Sequence, residues 1–290
     1  MLDTAANTNT INAAVAQQLN LLQVGDVAGG TGAAGAIGGG ATFLLGTCEL
    51  GDLPKQERFE FLSGLTASAL PIASPAAAGL LGVAFLDSFP GGVEFSWGAT
   101  GKADEGEVGN PPSVTFYGDM QGVEQVTAGL TRIEVLRLPA SLLPCVSLRV
   151  NGVAMRALLD TGSPITVLNA AAAAASGVST TPVEGAGGDG GGNPFSRLAA
   201  SFKSAQAVAR GDVLSIMGAN GQPTQLIRSL PAAMSVCSAT EEGAGGEVAF
   251  GSATFYVGDI PGLAALDGLG AAAGPAALLG MDVLRRRYSE

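Results

Sequence analysis

Histidine is absent from this 290-residue sequence, and its absence excludes several kinds of active site. A Ser-His-Asp triad and a Cys-His pair both need an imidazole as the general base. Zinc sites that use histidine ligands are excluded for the same reason. Acid–base catalysis at moderate pH must therefore depend on carboxylates, and the chain has 25 Asp and Glu residues in total.

Cysteine is also scarce. Cys48, Cys145 and Cys237 lie far apart, so the sequence contains no Cys-x-x-Cys pair and no metal-ligand spacing. This scatter predicts reduced thiols rather than a disulfide framework. We expect neither a metal ion nor another cofactor.

Basic residues and aromatic residues are few. The 14 Lys and Arg residues leave a net charge of −11 and a pI near 4.4, which disfavours nucleic-acid binding because no basic stripe neutralises phosphates. The 44 glycines and the aromatic fraction of 5% favour short strands and loops over long helices. Residues 61–86 carry no charge, but Pro71 and Pro75 interrupt them, so we predict buried strands and no membrane insertion.

A short motif occurs twice in the chain. Leu-Leu-Asp-Thr-Gly-Ser occupies residues 158–163, and a degraded copy, Leu-Asp-Thr-Ala-Ala, occupies residues 2–6. In each copy an Asn, Asn12 or Asn169, stands where the N-cap of a short Ala-rich helix is expected. Those helices are predicted to stop at Asn20 and at Gly177.

A second motif supports the first. Leu-Leu-Gly occurs at residues 80–82 and at residues 278–280, once after each Asp-Thr loop. A glycine at this place allows two backbones to approach closely. The doubled order of the two motifs is more specific than either motif alone.

On these residues the chain resembles the retropepsin-like aspartic peptidase family in a tandem arrangement. The resemblance covers roughly residues 1–98 and 144–284 and implies an all-β acid-protease fold with two pseudo-symmetric, β-barrel-like lobes. It divides the chain into an N-terminal lobe (1–98), a linker with interface strands (99–143) and a C-terminal lobe (144–290). Because only two residues precede Asp3, we expect the first lobe to be truncated and the chain to be a fragment.

The resemblance also implies a catalytic pair, Asp160 and Asp3. Two close carboxylates share one proton and titrate in separate steps, which suits them to activate water and to polarise a carbonyl. The loops are expected to be supported by Thr161, whose hydroxyl bonds the partner loop, by Ser163, which bonds the carboxylate, and by Gly162 and Thr4. In the first copy Ala5 replaces the expected glycine, at a cost of about 1 kcal/mol if a left-handed backbone is required.

Two Gly-rich segments fit the pattern Gly-x-Gly-x-x-Gly, at residues 30–35 and 185–190. Neither segment leads into a helix, which disfavours the dinucleotide-binding alternative. The resemblance makes both segments flaps that close over a peptide. The flap residues named on this basis are Gly32, Gly35, Gly185, Gly187 and Gly188.

The remaining pattern is that of strands. Residues 146–150 and 153–159 predict a hairpin with an Asn-Gly turn that delivers Asp160 at its end. Other strands are predicted over residues 43–50, 59–70, 114–117 and 132–138. The spacing from Asp to Gly of Leu-Leu-Gly is 41 residues longer in the second copy, and part of the excess is expected between Asp212 and Glu247.

Two functions remain open. The first is an aspartic endopeptidase for peptide or protein substrates, either a monomer with a single-chain dyad or a homodimer in which Asp160 pairs with its own copy through the C-terminal lobe. The alternative is a catalytically inactive peptide-binding or interaction protein on the same scaffold. Relatives with the tandem layout occur in plants and algae, which is compatible with a plastid or another intracellular compartment; no residue specifies one.

Overall fold

The computed structural model of the protein describes residues 1–32, 35–48, 62–70, 77–97, 111–121, 123–181, 207–217, 223–238, 246–264, 266, 269 and 274–286. The chain is mostly β, as the sequence predicts, and forms a five-stranded, a ten-stranded and a two-stranded sheet. The labelled helices are short: α1 (Ala13–Gln18), α2 (Val83–Leu86), α3 (Val123–Val126), α4 (Ala170–Ala175), α5 (Pro261–Ala264) and α6 (Met281–Leu284). Among the described residues no helix is long and apolar enough to cross a membrane.

The five-stranded sheet is formed by the first part of the chain, in the spatial order β2-β3-β4-β1-β5. Its strands are β1 (Thr10–Ile11), β2 (Leu22–Gly32), β3 (Gly35–Thr47), β4 (Ser63–Ala69) and β5 (Gly79–Leu80). Strands β2 and β3 pair antiparallel along their length and form a long hairpin. The two-stranded sheet follows, made of β6 (Gly92–Ser96) and β7 (Ser113–Tyr117).

The ten-stranded sheet is formed by the second part of the chain, in the order β12-β13-β16-β11-β17-β10-β9-β14-β15, with β8 beside β9. Its strands are β8 (Leu136–Arg137), β9 (Pro144–Val150), β10 (Val153–Leu159), β11 (Val167–Leu168), β12 (Val213–Met217), β13 (Pro223–Arg228), β14 (Ala232–Cys237), β15 (Glu247–Ala253), β16 (Tyr256–Val257) and β17 (Ala276–Leu279). The predicted hairpin is confirmed as β9–β10, with its turn at Asn151 (φ 47°) and Gly152 (φ 83°). Positive φ at both turn residues matches the right-handed twist of the strands.

The same connectivity occurs in both large sheets. Strand β1 pairs parallel with β4 and antiparallel with β5, whereas β11 pairs parallel with β16 and antiparallel with β17. The predicted helix ends are confirmed as well. The side chains of Asn12 and Asn169 cap α1 and α4. Asn20 (φ 50°) and Gly177 (φ 63°) take the left-handed conformation that ends each helix.

The second Leu-Leu-Gly motif brings two backbones together, and so does the first. A Cβ at Gly280 would lie 2.1 Å from the carbonyl oxygen of Ile165, and a Cβ at Gly82 would lie 2.4 Å from the carbonyl oxygen of Ala6. Only glycine leaves room for these contacts, so the close approach predicted from the sequence is confirmed. Helices α2 and α6, which the sequence pattern does not predict, begin at the residue after each glycine.

One expectation about the strands needs correction. The predicted strand over residues 132–138 is wrong, because only Leu136–Arg137 pairs with β9. Just before it, the backbone N–H of Glu134 donates to the hydroxyl oxygen of Ser238 (2.9 Å). Alternating polarity favours a strand, but a strand also needs a free edge beside it. The strand predicted over 59–70 begins at Ser63 within the described residues.

Two equivalent pairs of residues show where the extra length of the second half lies. Gln23 pairs with Phe43, 20 residues later, whereas the equivalent bridge joins Thr180 to Ser229, 49 residues later. Most of the 41-residue excess therefore falls between these two residues. The interval in which part of the excess was predicted, Asp212 to Glu247, overlaps the last part of the segment between Thr180 and Ser229.

Apolar packing joins the two halves. One buried cluster fills the interior of the ten-stranded sheet around Leu148 and Phe255. A second cluster contains Leu158 and Leu278 of that sheet together with Val83 of helix α2, and Ala5 packs against it. A residue of the first half is thus buried in the core of the second. The three cysteines are free thiols, as the sequence predicts.

Candidate active site

Each of the two Asp-Thr loops is held by a backbone hydrogen bond, and the two bonds are equivalent. The N–H of Asp160, directly after β10, donates to the carbonyl oxygen of Leu279 at 3.0 Å. The N–H of Asp3 donates to the carbonyl oxygen of Leu81, also at 3.0 Å. Each Leu-Leu-Gly segment therefore runs beside an Asp-Thr loop and fixes the position of the Asp backbone in that loop.

Backbone amides of the loops point at the carboxylates. Oδ1 of Asp160 accepts hydrogen bonds from the N–H groups of Gly162 (2.8 Å) and Ser163 (2.9 Å). Oδ1 of Asp3 accepts from the N–H of Ala5 (2.9 Å). The predicted bond from Ser163 to the carboxylate is thus made by its backbone, since its hydroxyl donates to the carbonyl oxygen of Ile165 (2.8 Å).

Threonine hydroxyls tie the two loops to each other. Oγ1 of Thr161 donates to the carbonyl oxygen of Leu2 (3.1 Å) and accepts from the N–H of Thr4 (3.1 Å). Oγ1 of Thr4 donates to the carbonyl oxygen of Leu159 (2.7 Å) and accepts from the N–H of Thr161 (3.0 Å). The exchange is reciprocal, so each loop satisfies backbone groups of the other.

This exchange carries a stability prediction. In Thr161→Val, the N–H of Thr4 and the carbonyl of Leu2 lose their partner, and we expect a loss of about 2 kcal/mol in the free energy of unfolding. Denaturant titration measures it. Thr127→Val is the matched control, because the Thr127 hydroxyl bonds only exposed carbonyls of its own helix turn. Equal losses in the two variants would show that the exchange contributes nothing specific.

The carboxyl groups of Asp3 and Asp160 lie next to each other where the two loops meet. Gly162 lies directly beside the pair, because a Cβ there would lie 2.7 Å from Cγ of Asp3. The equivalent residue in the other loop, Ala5, does not have a positive φ. The loop therefore accepts Ala5 without the left-handed strain considered for it.

The electrostatics of the pair follow from its burial. Asp160 is 8% exposed. Loss of hydration, followed by the negative charge of Asp3, raises the pKa of Asp160 to about 7 despite two backbone hydrogen bonds that oppose the shift. Burial also raises the pKa of Asp3. The pair consequently retains one shared proton at moderately acidic pH.

The predicted flap residues fall on two segments. Gly32 and Gly35 pair with each other at the end of the β2–β3 hairpin. This hairpin lies against helix α5, so it reaches from the first half of the chain to the second. Because the segment is a strand pair, it does not open a helix as a dinucleotide fingerprint would. Gly185, Gly187 and Gly188 lie outside the described residues.

Two buried polar residues in the site were not predicted. Asn9 is 2% exposed and Thr166 is fully buried, and each accepts a hydrogen bond from the glycine of a Leu-Leu-Gly motif. They occupy equivalent places, six residues after each catalytic-type Asp. That shared spacing is the signal that would have found them. The described residues contain no group of three or more cysteine, aspartate or glutamate side chains placed to hold a metal ion.

The site thus combines a pair of carboxyl groups, two interlocked Asp-Thr loops and a mostly β fold. Residues 146–207 match the family model described as aspartyl protease. The matched segment begins in β9 and includes Asp160 with its whole loop, which supports an aspartyl protease family for this part of the chain. Comparison of the chain with curated proteins gives no match.

Proposed function

We propose that the protein is an aspartic-type endopeptidase that hydrolyses peptide bonds with Asp3 and Asp160. The single observation that carries the proposal is the close approach of two carboxyl groups, of which that of Asp160 is buried, at the place where the two loops interlock. Aspartyl proteases act on peptides and proteins, so the substrate class follows from the family match. The second flap segment, 185–190, is assigned by its position in the sequence alone.

The chemistry balances with the pair and one water molecule. Asp3, ionised, takes a proton from the water while the water oxygen bonds to the scissile carbonyl carbon. Asp160 gives its proton to the carbonyl oxygen, which forms a neutral gem-diol. Asp3 then protonates the amide nitrogen, the C–N bond breaks, and a gem-diol hydroxyl returns its proton to Asp160. The products are a carboxylic acid and an amine, and the pair is restored.

We further propose a single-chain dyad in a tandem of two lobes, 1–98 and 144–290, connected by residues 99–143. Support comes from the burial of Val83 in the second cluster and from the reciprocal threonine bonds. Arg137 in β8 adds an ion pair with Asp87 (2.7 Å), which is half exposed and therefore weak. In this proposal the functional unit is a monomer.

The pH dependence of cleavage tests the proposal. With an unfolded protein as substrate, kcat/KM is expected to fall as pH rises through about 7, because Asp160 then loses its proton. At the acidic end it falls when Asp3 becomes protonated. Initial rates between pH 3 and pH 9 give both limbs. Binding of peptides without cleavage at any pH in this range would favour the inactive alternative instead.

A further inference from the structure

Thr166 links the Asp160 loop to a carboxylate outside the catalytic pair. Its hydroxyl donates to Oδ1 of Asp282 at 2.7 Å and accepts from the N–H of Gly280 at 3.0 Å. Thr166 is fully buried, and Asp282 is partly buried in the first turn of α6. One buried hydroxyl therefore connects Asp282 to the Leu-Leu-Gly segment.

The residues on either side of Gly280 hold both ends of the catalytic loop. The carbonyl oxygen of Leu279 accepts from the N–H of Asp160 (3.0 Å), and the N–H of Met281 donates to the carbonyl oxygen of Ser163 (2.8 Å). The loop is thus clamped through residues 279–281. Any rotation of the backbone at Gly280 moves these two anchor points together.

In the first half of the chain, a single side chain binds the N–H of the equivalent glycine and is itself oriented by a backbone carbonyl. Oδ1 of Asn9 accepts from the N–H of Gly82 (3.0 Å), and its Nδ2 donates to the carbonyl oxygen of Thr66 (3.1 Å). Ala84 stands at the place that corresponds to Asp282, two residues after the glycine. A carboxylate two residues after the glycine is therefore found only in the second half, where the glycine N–H donates to a hydroxyl and not to an amide oxygen.

The chemistry of the two side chains accounts for this difference. An amide has a fixed donor end and a fixed acceptor end, so a single bond to a carbonyl orients both. A hydroxyl proton rotates freely about its C–O bond and can point at the N–H that the oxygen must accept from. A second acceptor is needed to bind the hydroxyl proton, so that the hydroxyl oxygen is free to accept from the N–H.

We propose that Asp282 is a positioning residue for the endopeptidase: it fixes the Thr166 hydroxyl as an acceptor for Gly280 and thereby holds the Asp160 loop in its reactive position. The proposal rests on the proposed function for its kinetic consequence but not for its structural one. The bond from Thr166 to a carboxylate is also stronger than one between neutral groups, which favours this arrangement.

The experiment compares three variants with the natural protein. In Asp282→Ala, kcat is expected to fall about tenfold or more with KM nearly unchanged, because a slightly misplaced loop impairs chemistry rather than binding. The amide proton of Gly280 is expected to exchange faster with solvent, as hydrogen exchange measures. Asp282→Asn keeps an acceptor for Thr166 and should stay within about twofold of the natural kcat, since a neutral hydrogen bond remains.

The third variant separates positioning from a general effect on helix α6. Thr166→Asn with Asp282→Ala reproduces the arrangement of Asn9 and Ala84 and should recover most of the lost kcat. It does not restore an acidic residue at the start of α6, so a favourable charge at that helix end cannot explain recovery. Natural kcat and natural Gly280 exchange in Asp282→Ala, or no recovery in the double variant, would overturn the proposal. Absence of cleavage by the natural protein would instead overturn the proposed function, and the exchange rate would still decide the role of Asp282.

Discussion

Asp160→Asn is expected to lower kcat/KM for peptide cleavage by at least about a thousandfold, because an amide cannot hold the proton that polarises the carbonyl. Asp3→Asn is expected to cause a similar loss, because an amide cannot accept a proton from water. The two variants together test the single-chain dyad. In a homodimer that pairs two copies of Asp160, Asp3→Asn would retain cleavage.

The same Asp160→Asn variant is expected to be more stable than the natural protein at neutral pH. The folded-state pKa of Asp160 is raised to about 7 from 3.8, so the folded protein keeps a proton that the unfolded chain has released. Stability therefore falls as pH rises from about 4 to about 7 and stays low above that range. Asn carries no charge and avoids this loss, a gain on the order of 3 kcal/mol at pH 8.

Thermal unfolding at pH 4 and pH 8 measures the effect. The midpoint of Asp160→Asn should exceed that of the natural protein at pH 8 and approach it at pH 4, where Asp160 is protonated in the folded state. Asp119→Asn is the control, because Asp119 is exposed and bonds only the nearby N–H of Gln121. A variant less stable than the natural protein at both pH values would contradict the burial of an unfavourable charge.

The second large effect is expected for Gly280→Ala. The added methyl carbon would lie 2.1 Å from the carbonyl oxygen and 2.4 Å from the carbonyl carbon of Ile165, both backbone atoms that cannot rotate away. The Gly280 segment must move away from Ile165, and the hydrogen bond from the N–H of Gly280 to Thr166 is stretched or lost. We expect a loss of about 3 kcal/mol or more in the free energy of unfolding, together with loss of cleavage.

A glycine on an open part of the sheet provides the control. A Cβ at Gly38, in β3, would meet no atom within 4 Å, so Gly38→Ala should leave the unfolding free energy nearly unchanged. Denaturant titration of both variants gives the comparison. Similar losses at the two positions would mean that the contact with Ile165 relaxes easily and does not hold the Asp160 loop.

Local rules were enough to predict much of the fold. The Asn-Gly turn placed β9 and β10 in the correct register, and it delivered Asp160 at the end of β10. Asn12 and Asn169 were recognised as helix caps because a cap depends on residues only two or three positions away. The strand over residues 132–138 failed for the opposite reason, since pairing depends on which sheet edge is free.

Sequence alone established a duplicated Asp-Thr loop, a duplicated Leu-Leu-Gly strand and the absence of any histidine chemistry. The tertiary structure decided which groups meet: Asp3 beside Asp160, Thr4 exchanging bonds with a loop 157 residues away, and Asp282 behind Thr166. The reason is physical. Turns and caps are set by near neighbours along the chain, whereas these hydrogen bonds depend on how two sheets pack, and on the low dielectric that packing creates around the carboxyl pair.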